Sequence, residues 1–224
     1  MLKLDLHIHS IYSKDSILEP KEIIEIAKRK GLNGIAITDH DAIKGALEAI
    51  KLNKETDNGK DFIIVPGEEI RTDIGDVLVL FIKKEISSRR IEEVYEEAKK
   101  QNAMLVLAHP FRGSGEINPD NIKKFIDVIE VFNSRSTRKQ NKAAEELAKK
   151  LKKPIICGSD AHLSWEIGKS INLFKIRNIK KEILKNKIKN KDNAQFSTSY
   201  SPYLTSRILT ALSTISRFFN KTPD

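Results

Sequence analysis

The stretch LKLDLHIHSIYSKDSILEPKEIIEIAKRKGLNGIAITDH, residues 2–40, decides the fold. Residues 2–9 are rich in Leu and Ile and read as a strand. Pro20 suits the first turn of a helix, and Ile23, Ile24 and Ala27 mark a buried helical stripe. Gly31 is placed to cap that helix, which predicts a helix over 20–30. Residues 34–38 then form a second apolar run, ending in Thr38-Asp39-His40. Strand, helix and strand in this order make a βαβ unit.

The alternation continues to the end of the apolar pattern. Further strands are expected at 62–66, 76–82, 104–108, 127–132 and 154–158, with a weaker one at 171–176. Helices are expected at 42–53, 88–101, 120–124 and 137–152. So many repeats of strand and helix argue for an α/β protein built on a parallel sheet or barrel. A chain of 224 residues has room for one domain with a full core. Its 39% hydrophobic and 32% charged residues exclude collagenous, coiled-coil and largely disordered chains. The longest apolar runs, 77–82 and 104–108, are too short to span a bilayer, and residues 1–9 show no signal-peptide pattern. The single cysteine, Cys157, excludes an internal disulfide framework and leads us to expect a cytoplasmic protein.

The net charge of +9 is concentrated. Residues 175–192 carry eight Lys or Arg against Glu182 and Asp192, two thirds of the excess. Such a stretch can hold phosphate backbones, but lysine-rich helix faces are more often simply solvated. Lysine outnumbers arginine, which weakens a sequence-specific DNA-binding reading. Residues 190–202 are polar and rich in Ser and Thr, so they read as a linker after a body of 1–189. Over 203–220, Leu204, Ile208, Ala211, Leu212, Ile215, Phe218 and Phe219 recur at helical spacing. The expected C-terminal helix has an apolar face that packs on the body, pairs with a second copy to give a homo-oligomer, or lies on a membrane. Arg207 and Arg217 are few cations for the last, so no stable membrane insertion is expected.

All five histidines fall at or just after the end of an expected strand: His7, His9, His40, His109 and His162. In α/β folds those ends form one rim, where sites are built. In His7-Ile8-His9 the two imidazoles point to one side, and Asp160-Ala161-His162 does the same if extended. Asp15, Glu68 and Glu69 fall at the same rim. Imidazoles mixed with carboxylates suit Zn²⁺, Mn²⁺ or Fe²⁺, and this many groups exceed the needs of one ion, so two or three are expected. Arg112 and Arg135 lie near the rim as candidate phosphate clamps. Asp39, Asp41 and Glu130 are candidates to orient imidazoles.

Seven segments together resemble the PHP (polymerase and histidinol phosphatase) family: DLHIHS at 5–10, YSKDS at 12–16, GIAITDHD at 34–41, PGEE at 66–69, AHPFR at 108–112, IEVFNSR at 129–135 and GSDAH at 158–162. The resemblance implies a distorted seven-stranded (β/α) barrel of PHP type, here followed by a C-terminal helical tail. It implies three ions at the C-terminal rim. His7, His9, Glu69 and Asp160 would hold the first. Glu69 would bridge to a second ion on His109, and Asp15, His40 and His162 would hold the third. It selects Glu69 over Glu68. Many members carry a further histidine on the next strand; here Leu78 takes that place and Asp76 is the nearest substitute.

Clustered divalent ions acidify bound water, so the expected chemistry is hydrolysis of a phosphate ester by metal-bound hydroxide. The Asp160–His162 and Glu130–Arg135 motifs resemble those of nucleotide phosphatases and 5′→3′ exonucleases. The expected substrate is therefore a phosphorylated small molecule or short nucleic acid, such as a 3′,5′-bisphosphonucleotide. A histidinol-phosphate-type phosphomonoesterase and a non-catalytic nucleic-acid-binding scaffold are the alternatives.

Overall fold

The computed structural model describes residues 1–55, 61–113, 117–175, 178–185 and 196–200. The elements run β1 (Leu2–Ile8), α1 (Pro20–Arg29), β2 (Gly34–His40), α2 (Lys44–Lys54), β3 (Ile63–Thr72), β4 (Gly75–Leu80), α3 (Ile91–Lys100), β5 (Met104–Leu107), α4 (Pro119–Phe125), β6 (Val128–Asn133), α5 (Arg138–Leu151), β7 (Ile155–Gly158), β8 (Ser170–Phe174), α6 (Ile179–Lys185) and β9 (Phe196–Thr198). Local chemistry sets many of the boundaries. Pro20 opens α1, and Gly31 follows it at φ 72°, a backbone that glycine adopts without strain. Thr137 and Gln140 form a reciprocal capping box at the start of α5.

One sheet holds all the strands, in the order β7-β6-β5-β4-β3-β2-β1-β8-β9. It curls into a nearly closed barrel. Leu4, Leu6, Ala36, Val65, Leu78, Leu80, Met104, Val106 and Ile156 pack inside. Ile23, Ala27, Ile35, Ile37, Ala46, Val94 and Leu105 pack between sheet and helices. With both faces covered, the strands are continuous apolar runs. Each fully buried Leu or Ile contributes about 1.5–3 kcal/mol.

The sheet has nine strands, not the seven expected, and it is not all parallel. β4 is antiparallel to both β3 and β5. Strand β3 does not stop at Pro66 but runs on to Thr72, because the Pro66 carbonyl receives the Phe81 amide at 2.7 Å. The chain then turns back at Gly75 (φ 120°) into a hairpin. β8 adds antiparallel to β1, and β9 to β8. β9 forms inside the stretch 190–202 expected to be a linker, where the outer edge of β8 still had unpaired backbone groups to offer. The helix expected over 203–220 lies outside the described residues. No helix among the described residues is long and apolar enough to cross a membrane.

The barrel closes along β1. The first half of its free edge pairs with β8, through Leu2, Lys3 and Leu4. The second half meets the chain just after β7: the Asp160 amide donates to the His7 carbonyl at 2.8 Å, and the His9 amide to the Ala161 carbonyl at 2.9 Å. Between the halves, the Asn172 side chain stands in for a strand. Its Nδ2 donates to the carbonyls of Leu4 and Cys157, and its Oδ1 accepts the Cys157 amide. Asp5 adds a latch, accepting the amides of Ser159 and Gly168.

Two bulges re-aim the strand ends. Between Asp5 and Ile8 the register of β1 against β2 shifts. Leu4 and Leu6 face the interior, but Ile8 joins the outer layer. The shift therefore turns His7 and His9 inward at the rim. A second shift, between Glu130 and Phe132 on β6, does the same for Asn133. At the opposite end of the barrel, α6 inserts Ile179 and Ile183 among Leu2, Ile63 and Met104. The described part of the basic stretch therefore lies at the end of the barrel away from the histidines.

The seam leaves no space at Gly158, where a Cβ would meet Glu130 Oε1 at 2.2 Å and His7 Cβ at 2.5 Å. Gly158→Ala should therefore lower stability by about 1–3 kcal/mol, measured by urea unfolding, as overpacking does. Unchanged stability would show that the seam yields.

Candidate metal centre

The five histidines and three of the carboxylates converge at the C-terminal rim of the parallel strands. His7 Nε2 lies 3.1 Å from His9 Nε2 and 3.4 Å from Glu69 Oε2. His9 Nε2 lies 3.2 Å from both Glu69 Oε2 and Asp160 Oδ1. Glu69 spans the site: its Oε1 meets His109 Nε2 at 2.9 Å, and its Oε2 lies 3.3 Å from His40 Nδ1. Asp15 Oδ2 lies 3.1 Å from His162 Nε2 and 3.5 Å from His40 Nε2. Four overlapping groups have ligand atoms within 4.8 Å of one another: His7, His9 and Glu69; His7, His109 and Asp160; Glu69, Asp76 and His109; and His9, Asp15, His40 and His162.

The strand after Glu69 also contributes. Leu78 is fully buried in the barrel interior, directly across the ladder from Glu69. Asp76, two residues earlier on the same face, reaches the rim with its Oδ2 3.9 Å from His109 Nδ1. Side chains alternate along a strand, so Asp76 stands at the edge of the site and Leu78 beneath it.

A further layer fixes the imidazoles. Glu130 Oε1 accepts from His7 Nδ1 at 3.0 Å, while its Oε2 accepts the His109 amide and Asn133 Nδ2. His9 is held differently. The Ser13 hydroxyl donates its one hydrogen to Asp39 Oδ1 at 2.8 Å. Its lone pairs then accept the His40 amide and His9 Nδ1, each at 3.0 Å. His7 and His9 therefore both carry hydrogen on Nδ1, and their Nε2 atoms face each other, where a proton or a metal ion can sit between them. Asp39 acts on His9 through Ser13 and not by direct contact as expected. Asp41 is turned outward to Arg89. His109 and Asp160 sit in left-handed backbone conformations, at φ 27° and 57°, which their amide bonds to Glu130 and His7 sustain.

The two arginines differ in placement. Arg112, partly exposed, donates to Asp160 Oδ2 and to Asn133 Oδ1. Arg135 is buried behind His162, contacting its Nδ1 with Glu166 nearby. That is the side of the ring away from Asp15, so Arg135 does not stand as the second exposed clamp expected from its motif. Glu166 holds the loop by accepting the amides of His162 and Leu163. Ser13, Asn133 and Glu166 have no role in the sequence reading. Ser13 and Asn133 fall inside quoted motifs, but nothing in the pattern says which groups they meet.

The electrostatics favour a cation. Burial raises the pKa of Glu69 and Asp160, but the imidazoles around Glu69, and Arg112 and His7 beside Asp160, reverse this and hold both well below the usual carboxylate range. Burial would depress His7, yet Asp160, Glu130 and Glu69 push it well above an ordinary histidine. His40 is raised to about 9 against its burial, chiefly by Asp15 and Glu69. His162 goes down, through burial, His9 and Arg135.

These features fit bound metal. Tetrahedral Zn–N and Zn–O bonds of 2.0–2.2 Å put neighbouring ligand atoms roughly 3.3–3.5 Å apart. The separations of His7 and His9 from each other, from Glu69 and from Asp160 run from 3.1 to 3.6 Å. Asp15 Oδ1 and Asp160 Oδ1 are buried and receive no hydrogen bond. Facing Nε2 atoms, with unpartnered carboxylate oxygens alongside, favour positive charge between them, which a metal ion supplies in place of imidazole protons.

Comparison with known proteins agrees with this arrangement. Residues 5–164 match the model of the PHP domain, and residues 138–191 match a PHP-associated model. The chain is 35% identical over 170 residues to an uncharacterized protein of Methanocaldococcus jannaschii, covering 70% of this chain and 97% of that one. It is 29% identical over 207 residues to a protein of Acetivibrio thermocellus named "Probable phosphatase", covering 77% of this chain and 85% of that protein. Among solved structures, a two-domain Bacteroides vulgatus protein described as "containing predicted PHP-like metal-dependent phosphoesterase" superposes with a TM-score of 0.69 at 19% identity. That match covers 93% of this chain and 69% of that one, and it speaks to the fold.

Glu68, next to Glu69 but on the opposite face, makes an internal control. Its Oε1 accepts the Ile86 amide, and its buried Oε2 has no partner. Burial, opposed by the Ile86 amide, raises its pKa to about 8. The folded state thus binds this proton more tightly than the unfolded chain, and stability falls as pH rises from about 4.5 to about 8. Glu68→Gln removes that loss while keeping the acceptor for Ile86. Denaturant unfolding should show the variant gaining on the parent by up to roughly 1.4 kcal/mol per pH unit across this window. A pH-independent difference would place the Glu68 carboxyl in contact with water.

Proposed function

The chain belongs to the PHP domain family, and from that membership we propose that it is a metal-dependent phosphoesterase acting on a nucleotide or short oligonucleotide. The observation that carries the reading is the facing pair of His7 and His9 Nε2 atoms, 3.1 Å apart in front of Glu69 and Asp160. In this reading His7, His9, Glu69 and Asp160 hold one divalent ion. Glu69, His109 and Asp76 hold a second, and Asp15, His40 and His162 a third. The mixed imidazole and carboxylate donors suit Mn²⁺, Zn²⁺ or Fe²⁺. When bound, such ions supply an acidified water and neutralise charge on phosphoryl oxygens.

The remaining residues position. Glu130 keeps hydrogen on His7 Nδ1, and Asp39 does so for His9 through Ser13, so both Nε2 atoms stay available. Arg112, beside Asp160 and partly exposed, is placed to hold phosphoryl oxygens as a fork. Arg135 and Glu166 hold His162 and its loop. The resemblance of the Glu130–Arg135 and Asp160–His162 motifs to those of nucleotide phosphatases and exonucleases supports the substrate class. The placement of α6 at the far end of the barrel favours a short substrate over a long strand lying across the lysine-rich stretch. A non-catalytic scaffold has no need of eight converging ligand residues.

Protein purified without chelators should carry at least two divalent ions per chain by elemental analysis. With Mn²⁺ it should hydrolyse members of a panel of nucleotide monophosphates, 3′,5′-bisphosphonucleotides, short RNAs and histidinol phosphate. Turnover of histidinol phosphate alone would replace the nucleotide reading, and no turnover on any of them would end the phosphoesterase reading. His9→Ala and Asp160→Ala should each abolish turnover and reduce metal content with the circular dichroism spectrum retained; near-normal rates in either would disprove the assignment.

Ser13→Ala tests the tautomer argument. Loss of an outer-layer partner typically costs about 10–100-fold in metal affinity. Competition titration with a chromophoric chelator should show that loss, with Ser13→Thr closer to the parent. Equal affinities would mean that the Ser13 hydroxyl does not set the His9 tautomer.

A further inference from the structure

Beside His109 and Asp76 the rim opens into a hollow of about 260 Å³. Ile74, Leu107, Ala108, Pro110 and Ile117 give its lining an apolar part, and polar residues, Arg71 among them, supply the rest. Arg71 lies on β3 two residues beyond Glu69, so its side chain leaves the same face of the strand. At about 3.3 Å per residue, it stands roughly 6–7 Å further out along the strand. Arg71 is exposed, and none of the described residues forms a hydrogen bond or ion pair with its guanidinium. Arg135, by contrast, is buried against His162, and Arg112 stands beside Asp160 at the end that takes the reacting phosphate. Of the nearby carboxylates, Asp73 accepts the Ile91 amide at 2.9 Å, and Asp76, directly across the ladder from Arg71, lies 3.9 Å from His109 Nδ1 without an ion pair to Arg71.

We propose that this hollow receives the organic part of the substrate and that Arg71 selects for a second anionic group on it. The proposal rests on the phosphoesterase reading and narrows its substrate class. The preferred ester would carry, about two strand residues from the reacting phosphate, a carboxylate or a second phosphate. The mixed lining accommodates a compact connecting group that carries both apolar and polar atoms, and the guanidinium offers a planar fork matched to either anion. A substrate with a single charge would use the metal centre but leave Arg71 idle.

Binding can be read without turnover. Propane-1,3-diphosphonate carries two anions at about this spacing and cannot be hydrolysed; propylphosphonate carries one. Calorimetry on the Mn²⁺-loaded protein should show the diphosphonate binding at least tenfold more tightly. In Arg71→Ala that ratio should fall to within twofold while propylphosphonate binds as before, and Arg71→Lys should lie between. 4-Phosphonobutyrate, with a carboxylate as the second anion across the same three-carbon spacer, should also bind more tightly than propylphosphonate and lose that advantage in Arg71→Ala. No preference in the parent protein, or a preference that survives Arg71→Ala, would overturn the proposal. Failure of both phosphonates to bind would instead overturn the phosphoesterase reading and this inference with it. Arg71 is exposed, so the variants should match the parent in thermal unfolding; a variant that does not is replaced by Arg71→Gln, read against the same ratio.

Discussion

The contact between the end of β1 and the chain leaving β7 is the constraint on which the site depends. Two backbone hydrogen bonds, from Asp160 to His7 and from His9 to Ala161, join segments about 150 positions apart in the chain. They bring His7 and His9 against Asp160 and His162. Without that closure the sheet would still be a sheet, with its apolar faces covered, but half of the ligand groups would have no counterparts. Asn172 and Asp5 secure the same seam with side chains, which explains why polar groups so deep in the protein have no role near the metal ligands.

The site built on that seam is electrostatically unbalanced. Glu69 and Asp160 are held in their charged form, and His7 and His9 are tied through Nδ1 so that their Nε2 atoms converge. Buried polar groups in folded proteins normally satisfy one another. Here the outer layer, Glu130, Asn133, Ser13 and Asp39, is satisfied, whereas the inner layer keeps unpartnered carboxylate oxygens on Asp15 and Asp160. That division places the cost of folding where a cation relieves it. The same division makes the outer residues as necessary as the ligands, because an imidazole free to change tautomer would turn a proton toward its neighbour.

The two ends of the barrel serve different ends. The rim collects imidazoles, carboxylates and arginines, and the hairpin of β3 and β4 raises one wall beside them to form a hollow. The opposite mouth is plugged by α6, whose Ile179 and Ile183 enter the interior while Lys180 bonds to Asn102 on the outside. The described part of the basic stretch, which includes Lys175, Lys180 and Lys181, is therefore not part of the site. Composition alone does not separate a charge that binds substrate from one that keeps a plug helix soluble; position along the barrel axis does.

Much of this was legible in the sequence. Strand-helix alternation announced an α/β barrel, and five histidines at strand ends announced a single cation-binding rim, because alternation and strand direction are local rules. What the sequence could not decide depends on contacts between distant segments. The turn of β4 against its neighbours, the extension of β3 through Pro66 and the added strand β9 follow from which edges remained unpaired. The inward turn of His7 and His9 follows from a bulge, a one-residue shift that no periodicity announces. The role of Ser13, the burial of Arg135 and the exposure of Arg71 were settled only when the chain closed on itself, since a side chain's partner is chosen by geometry in space and not by its neighbours in the chain.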